Sequence, residues 1–400
     1  MNVRYHRTRQ GKKAGKRVIV PLLACTWLIS SAGAADAVRV MRTPDSGLQP
    51  QSVEDDQGVV HLVYLKGDPK ACDVCYARRE PGDTKFTRQM QVSSEPGSSV
   101  ALGTVRGAQL AMGPKGRVHV VWNGSQHASG NGVRGAPMLY ARVDDSGNRF
   151  EPQRNLMTST MDLDGGGSVA ADGRGNVWVV WHARERGGAD GEEHRGVFVA
   201  HSSDEGKTFI PERQVNASGS GACGCCGLKA FADAEGRLAV LYRSADGTGN
   251  RDSVLLLSEK GAASFQSRIL GRWHISTCPM STPALGEGPG HTLLAMWETQ
   301  GQVYRRAFEP GPLSSGSATL PAEGDKSDRK HPAFALSRPD GARLLVAWVE
   351  GSGWAKGGQL GWECVESSTG AKTRGRGTEV PAWSLPAVVP EADGGFTILY

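Results

Sequence analysis

Residues 116–122 read GRVHVVW and residues 175–181 read GNVWVVW, in each case a glycine, a run of β-branched and apolar residues, and a tryptophan. Five more stretches follow the same pattern: GVVHLVY at 58–64, GRLAVLY at 236–242, GHTLLAMW at 290–297, ARLLVAW at 342–348 and GFTILY at 395–400. Their closing aromatics, Tyr64, Trp122, Trp181, Tyr242, Trp297, Trp348 and Tyr400, are spaced by 58, 59, 61, 55, 51 and 52 residues. A repeat of that length fits one four-stranded blade of a ring. Each run follows a short β-rich stretch and an acidic or glycine turn, such as LAMGPKG at 110–116 and VAADGRG at 169–175, which predicts a hairpin of first and second strands. A polar loop and a third strand come next, as in PMLYARV at 137–143, GVFVAH at 196–201 and SVLLL at 253–257. The fold class is therefore all-β, a β-propeller of seven four-stranded antiparallel blades, with six blades as the alternative. The seventh unit stops at Tyr400 after two strands, and a ring tolerates no free edge. VRVMR at 38–42 is the expected closing strand.

The composition agrees with many tight turns, since 54 glycines and 21 prolines are spread along 400 residues. The first 17 residues hold seven Lys or Arg and no acid, and the apolar stretch at 18–34 ends in Ala32-Gly33-Ala34. That is the pattern of a secretory leader with a small-residue cleavage site. The domain reading is a leader at 1–34 and one propeller at 35–400, secreted or periplasmic. Leu22-Leu23-Ala24-Cys25 loosely matches a lipoprotein box, but the apolar run continues past the cysteine. Without the leader, Lys and Arg fall from 46 to 39 against 41 acids, so the formal charge of +5 becomes −2. The basic precursor thus gives no argument for nucleic acid, and no later stretch is apolar for the ~18 residues a membrane span needs.

In the third unit, SSDEGKTF at 202–209 follows the third strand, DSGNRF at 145–150 occupies the same place in the second, and 258–265 and 80–86 are eroded copies. An aspartate can accept backbone N–H groups across such a turn, the glycine supplies positive φ and the aromatic packs beneath, which is a folding role. On these residues the chain resembles the Asp-box (BNR-repeat) propellers of the sialidase family over residues 45–400. The resemblance implies an exo-α-sialidase type of chemistry: three arginines gripping a carboxylated sugar, an aspartate as acid and base, and a tyrosine nucleophile activated by a glutamate. Arg243, Arg251 and Arg305 or Arg306 are the candidates for the first role, Asp252 or Asp162 for the second, and Glu298 with Tyr304 for the last. The family's aromatic-Arg-Ile-Pro motif is replaced here by Val38-Arg39-Val40-Met41.

Antiparallel topology puts the turns between strands one and two, and three and four, on one rim, and the longer connectors on the other. KGDPKACDVC at 66–75, HARERGGADGEEHR at 182–195, ASGSGACGCCG at 217–227 and RWHISTCPM at 272–280 are assigned to the second rim, with His127, His182 and His194 read as solvated loop residues. Six cysteines fall there, Cys72, Cys75, Cys223, Cys225, Cys226 and Cys278, while Cys364 sits in a strand. In an oxidising compartment the expectation is disulfides, with the adjacent Cys225 and Cys226 bridging outward to other cysteines. The rival expectation is a thiolate site for Cu or Zn built from Cys223, Cys225, Cys226 and Cys278, with His274 or Met280 nearby. Three functional readings stay open: a secreted propeller that binds and hydrolyses extracellular glycans at the Cys-rich face, with Trp273 as a stacking surface; a non-catalytic recognition scaffold; and a thiolate metal-binding or redox propeller. Nothing in the sequence bears on oligomeric state.

Overall fold

A computed structural model describes residues 38–400 apart from 104, 130–135, 310, 312–315 and 326; the leader expected at 1–34 lies outside the described residues. Seven sheets follow one another along the chain. Blade 1 runs from Leu48–Glu54 to Met90–Gln91, blade 2 from Gln109–Met112 to Arg154–Asn155 and blade 3 from Ser168–Ala171 to Ile210–Gln214. Blade 4 runs from Lys229–Ala232 to Phe265–Gly271, blade 5 from Ala284–Glu287 to Leu320–Pro321 and blade 6 from Arg329–Leu336 to Lys372–Val380. In each, four antiparallel strands pair in chain order, and blade 3 carries an extra short strand, Thr160–Met161, on its second strand. Blade 7 consists of Ala387–Pro390, Phe396–Leu399 and the N-terminal Val38–Met41. The closing strand lies parallel to Phe396–Leu399, with Val38 opposite Phe396 and Met41 opposite Leu399.

The apolar runs are continuous because both faces of every second strand are covered, as in any sheet buried on two sides. Val118, Val120 and Trp122 pack toward blade 1, whereas Val121, the residue between, packs toward blade 3. Val177, Val179 and Trp181 face blade 2, and Trp178 and Val180 face blade 4. The core is thus a series of layers, one between each neighbouring pair of blades, and the layer between blades 7 and 1 closes the circle: Ala387, Val389 and Leu399 meet Val60, Leu62, Tyr64, Cys75 and Ala77. Trp122, Trp178, Trp181 and Trp297 are fully buried in these layers. Along the axis the first strands of all seven blades enclose a cavity of about 390 Å³.

The turn at 202–209 is held as its residues predict. Asp204 accepts the Thr208 N–H at 2.9 Å and its hydroxyl at 2.7 Å, and Ser202 Oγ donates to Asp204 at 2.7 Å. Gly206 has φ +75°, and a Cβ there would fall 1.8 Å from the Tyr140 hydroxyl, so only glycine fits. Phe209 meets the edge of Tyr140 at 4.9 Å. In the second copy the accepting aspartate is Asp144 rather than Asp145: Asp144 takes the N–H of Ser146 and Nε of Arg149, while Asp145 faces Arg117 at 2.7 Å.

Two expectations on the cysteines are corrected. KGDPKACDVC is no long loop: Val60–Asp68 and Ala71–Arg79 pair to the tip, Asp68 opposite Ala71. Cys72 and Cys75 point to opposite faces of that hairpin and fill the layers on either side of blade 1 as small apolar side chains. All seven described cysteines are free thiols, so no disulfide pins the connectors.

Candidate functional site

The residue that follows the closing aromatic of a second strand lies toward the rim that bears the long connectors. Asn123, His182, Arg243 and Glu298 hold that position in blades 2, 3, 4 and 5. They are all buried because the connectors fold over them. Asn123 donates to the carbonyls of Asp164 and Gly165. His182 reaches the Cys226 carbonyl through Nε2 at 2.8 Å, and burial, helped by the Arg195 charge, depresses it to about 4, so the ring is neutral. The reading of His182 as a solvated loop residue is therefore replaced by a buried strand residue that anchors a connector.

Arg243 donates to the backbone oxygen of Glu298 at 2.6 Å and to its carboxylate at 3.1 Å, and its guanidinium lies 5.2 Å from the Trp273 ring centre. The Glu298 carboxyl also accepts the Gly301 N–H. Burial outweighs the Arg243 charge and raises Glu298 to about 7. Arg251 pairs with Glu192 at 2.5 Å. Asp252 accepts the backbone N–H of Trp273 at 3.0 Å and faces Arg272 at 3.6 Å. Asp162 is held by Arg184. The structure therefore gathers Arg243, Arg251, Asp252 and Glu298 around the connectors of blades 4 and 5, each with its partner in place. Arg305 stands apart, in the middle of a third strand, paired with the buried Glu363 of blade 6. Trp273 is a packing partner of Arg243, whose carboxylate partner is Glu298.

The cysteines divide in the same manner. Cys223, Cys225 and Cys226 bring their sulfurs within 4.8 Å of one another, with Cys223 Sγ at 3.4 Å from Cys225 and 3.6 Å from Cys226. Cys278 is exposed and is not among them. Burial alone would push the Cys226 thiol up, but hydrogen bonds from Cys223 and Cys225 and the Arg243 charge outweigh it and hold Cys226 well below the usual thiol range. His274 lies on Asn250 instead, at 3.3 Å.

A feature the sequence reading passed over lies across the rim. Trp354, in the loop after the second strand of blade 6, is 48% exposed and lies 5.7 Å from the guanidinium of Arg106 in the connector between blades 1 and 2. Arg106 is fixed in turn, donating to the Asp164 carbonyl at 2.6 Å, to its carboxylate, and to the Leu102 carbonyl at 2.5 Å. The signal was available: GSGWAKGG at 351–358 places a tryptophan among glycines, where no strand core can claim it.

No protein-family model matches the chain, and no curated protein matches it. Among solved structures it is similar to a Hadza microbial sialidase, with 14% identity, TM-score 0.52, and 76% of this chain covering 64% of that one. It is also similar to an α-L-arabinanase of Penicillium chrysogenum complexed with arabinobiose, with 13% identity, TM-score 0.51, and 82% of this chain covering 96% of that one. A third is the α-L-arabinofuranosidase Arb93A of Fusarium graminearum, with 10% identity, TM-score 0.51, and coverage of 83% and 98%.

Proposed function

We propose that this chain is an exported carbohydrate-recognition propeller whose ligand lies on the connector rim, against Trp354 and the Arg106–Asp164 pair. Its fold is the one that glycoside-hydrolase propellers use for sugars, and a fold by itself assigns no ligand. The observation that carries the reading is the half-exposed Trp354 indole beside a guanidinium and a carboxylate that are locked in position. An indole face takes the C–H face of a sugar, and the flanking polar groups are disposed for its hydroxyls. Arg106, Arg184, Arg243 and Arg251 are all already paired with carboxylates, which favours an uncharged oligosaccharide over a carboxylated one. The basic and apolar segment at 1–34 supports export, and cleavage after Ala34 is the expected processing.

Titration calorimetry of the mature protein with arabino-, gluco- and sialo-oligosaccharides tests this. Binding of an uncharged oligosaccharide that weakens at least tenfold in Trp354→Ala is expected; no saccharide binding at all would remove the reading. The exo-α-sialidase form of the same proposal assigns Arg243, Arg251 and Arg305 to a sugar carboxylate, Asp252 to proton transfer and Glu298 to a tyrosine. It requires the pairs just described to open. Release of sialic acid from a model glycoside, lost in Arg243→Ala, is the result that would establish it.

A further inference from the structure

The connector at 222–228 is built to hold three sulfurs, and glycan recognition gives them nothing to do. Its backbone is anchored from every side: the Cys223 N–H on the Arg243 carbonyl at 2.9 Å, the Gly224 N–H on the Glu192 carboxylate at 2.6 Å, the Gly227 N–H on the Ser281 carbonyl at 3.1 Å, and the Cys226 carbonyl on His182. Glycines make room for this wrapping. A Cβ on Gly165 would sit 2.2 Å from the Cys226 carbonyl, and one on Gly221 would sit 1.8 Å from the Ala245 carbonyl. The three thiols therefore converge because blades 3, 4 and 5 fix the chain that carries them.

Sulfurs at 3.4 and 3.6 Å are far from the ~2.05 Å of a disulfide, and thiols are weak donors and acceptors that gain little by clustering. With metal–sulfur bonds of about 2.3 Å, three ligands around one ion stand about 4.0 Å apart in a trigonal plane. Reaching that spacing moves Cys225 Sγ and Cys226 Sγ about 0.6 and 0.4 Å farther from Cys223 Sγ, with all three sulfurs already within 4.8 Å of one another. From this geometry we infer that Cys223, Cys225 and Cys226 form a three-coordinate thiolate site for a soft monovalent d¹⁰ cation, Cu(I).

Zinc fits less well. A structural zinc takes four ligands, and among the described residues no histidine or carboxylate joins the three sulfurs within 4.8 Å. His182 has its Nε2 on a carbonyl. Three thiolates and one Cu(I) carry a net charge of −2, and the charges beside the loop are of both signs: Arg195 Nε lies 3.1 Å and Asp164 Oδ2 3.4 Å from where a Gly224 side chain would begin, and the Glu192 carboxylate accepts the Gly224 N–H. Cys223 and Cys226 are sealed, whereas Cys225 is partly exposed, so the ion enters and leaves past Cys225. Binding releases the thiol protons, and copper stays in one oxidation state throughout.

The test uses the mature protein, purified without reductant from the exported fraction and titrated anaerobically with Cu(I) against a competing chelator. One copper per chain is expected, with three sulfur neighbours in the copper X-ray absorption spectrum. Cys225→Ser, chosen because its side chain is the least buried of the three, is expected to lose at least a hundredfold in affinity while keeping the wild-type circular dichroism, and Cys278→Ser to bind as wild type. Copper retained in Cys225→Ser overturns the site. So does zinc taken up in preference with a fourth ligand, or a disulfide among the three cysteines in the exported protein that leaves copper unbound.

Discussion

The Glu298 carboxyl, sealed against Arg243 at 3.1 Å, keeps its proton up to about pH 7 because lost hydration costs more than the pair returns. An unfolded chain releases that proton near the ordinary carboxylate value, so between about pH 4.5 and 7 the folded state binds the extra proton. Its stabilising effect is complete at the acid end and is lost as pH rises through 7. Glu298→Gln is expected to remove on the order of 3 kcal/mol of pH-dependent destabilisation over that window, read as a flatter curve of urea midpoint against pH than the wild type gives. Lys229 has the opposite sign. Its ammonium lines the axial cavity, 2.6 Å from Gln109 Oε1, and burial lowers it to about 7. From pH 7 to about 10 the unfolded chain binds more protons, so stability rises with pH. Lys229→Met is expected to abolish that rise, which melting curves at pH 7, 8.5 and 10 would show.

At the scale of turns and strands, the aspartate of the 202–209 turn is held at about 2 mainly by hydrogen bonds from Thr208 and Ser202, which prevail over burial. Asp204→Ala leaves the Thr208 N–H and hydroxyl without their acceptor and is expected to cost about 2 kcal/mol in urea unfolding at neutral pH. That difference should shrink as pH falls toward 2 and the carboxylate is protonated. The seven second strands were legible because a strand covered on both faces must be apolar throughout and must end in a turn, and both features are local. Within the turns the reading slipped by one residue where two aspartates adjoin, since spacing pointed to Asp145 while Asp144 has the geometry to accept the Ser146 N–H. Cys72 and Cys75 were misplaced because polar Lys66, Asp68, Lys70 and Asp73 alternate with them; one face of that hairpin tip is wet, and a wet strand tip and a loop have the same composition. Cys223, Cys225 and Cys226 could be found because they adjoin in the chain, whereas Cys278 belonged to the set by residue type alone. Arg106 and Trp354 come from blades on either side of the closure, and a contact between such distant stretches leaves no local pattern.

The ring itself rests on a small joint. Blades 1 to 6 each complete their sheet from consecutive chain, but blade 7 has only Ala387–Pro390 and Phe396–Leu399 until Val38–Met41 is added. The joint is extended by Thr43, whose N–H and hydroxyl both reach the Tyr400 carbonyl at 2.9 Å, and by the Tyr400 N–H on the Met41 carbonyl at 3.2 Å. Val38 and Val40 pack on the layer between blades 6 and 7 beside Phe396 and Ile398. Removing the strand withdraws about 2–3 kcal/mol of apolar burial, taking the two valines as half-buried, and bares an edge that templates pairing with another chain. A chain shortened to begin at Arg42 is therefore expected to melt about 5 °C lower than one that begins at Ala35 and to self-associate on size-exclusion chromatography. Val40→Asp in the chain that begins at Ala35 keeps the backbone that covers the edge, so it is expected to lower the melting temperature without self-association. If both variants melt as wild type, the two ends of the chain do not close the ring, and the layers between blades 7 and 1 carry closure alone.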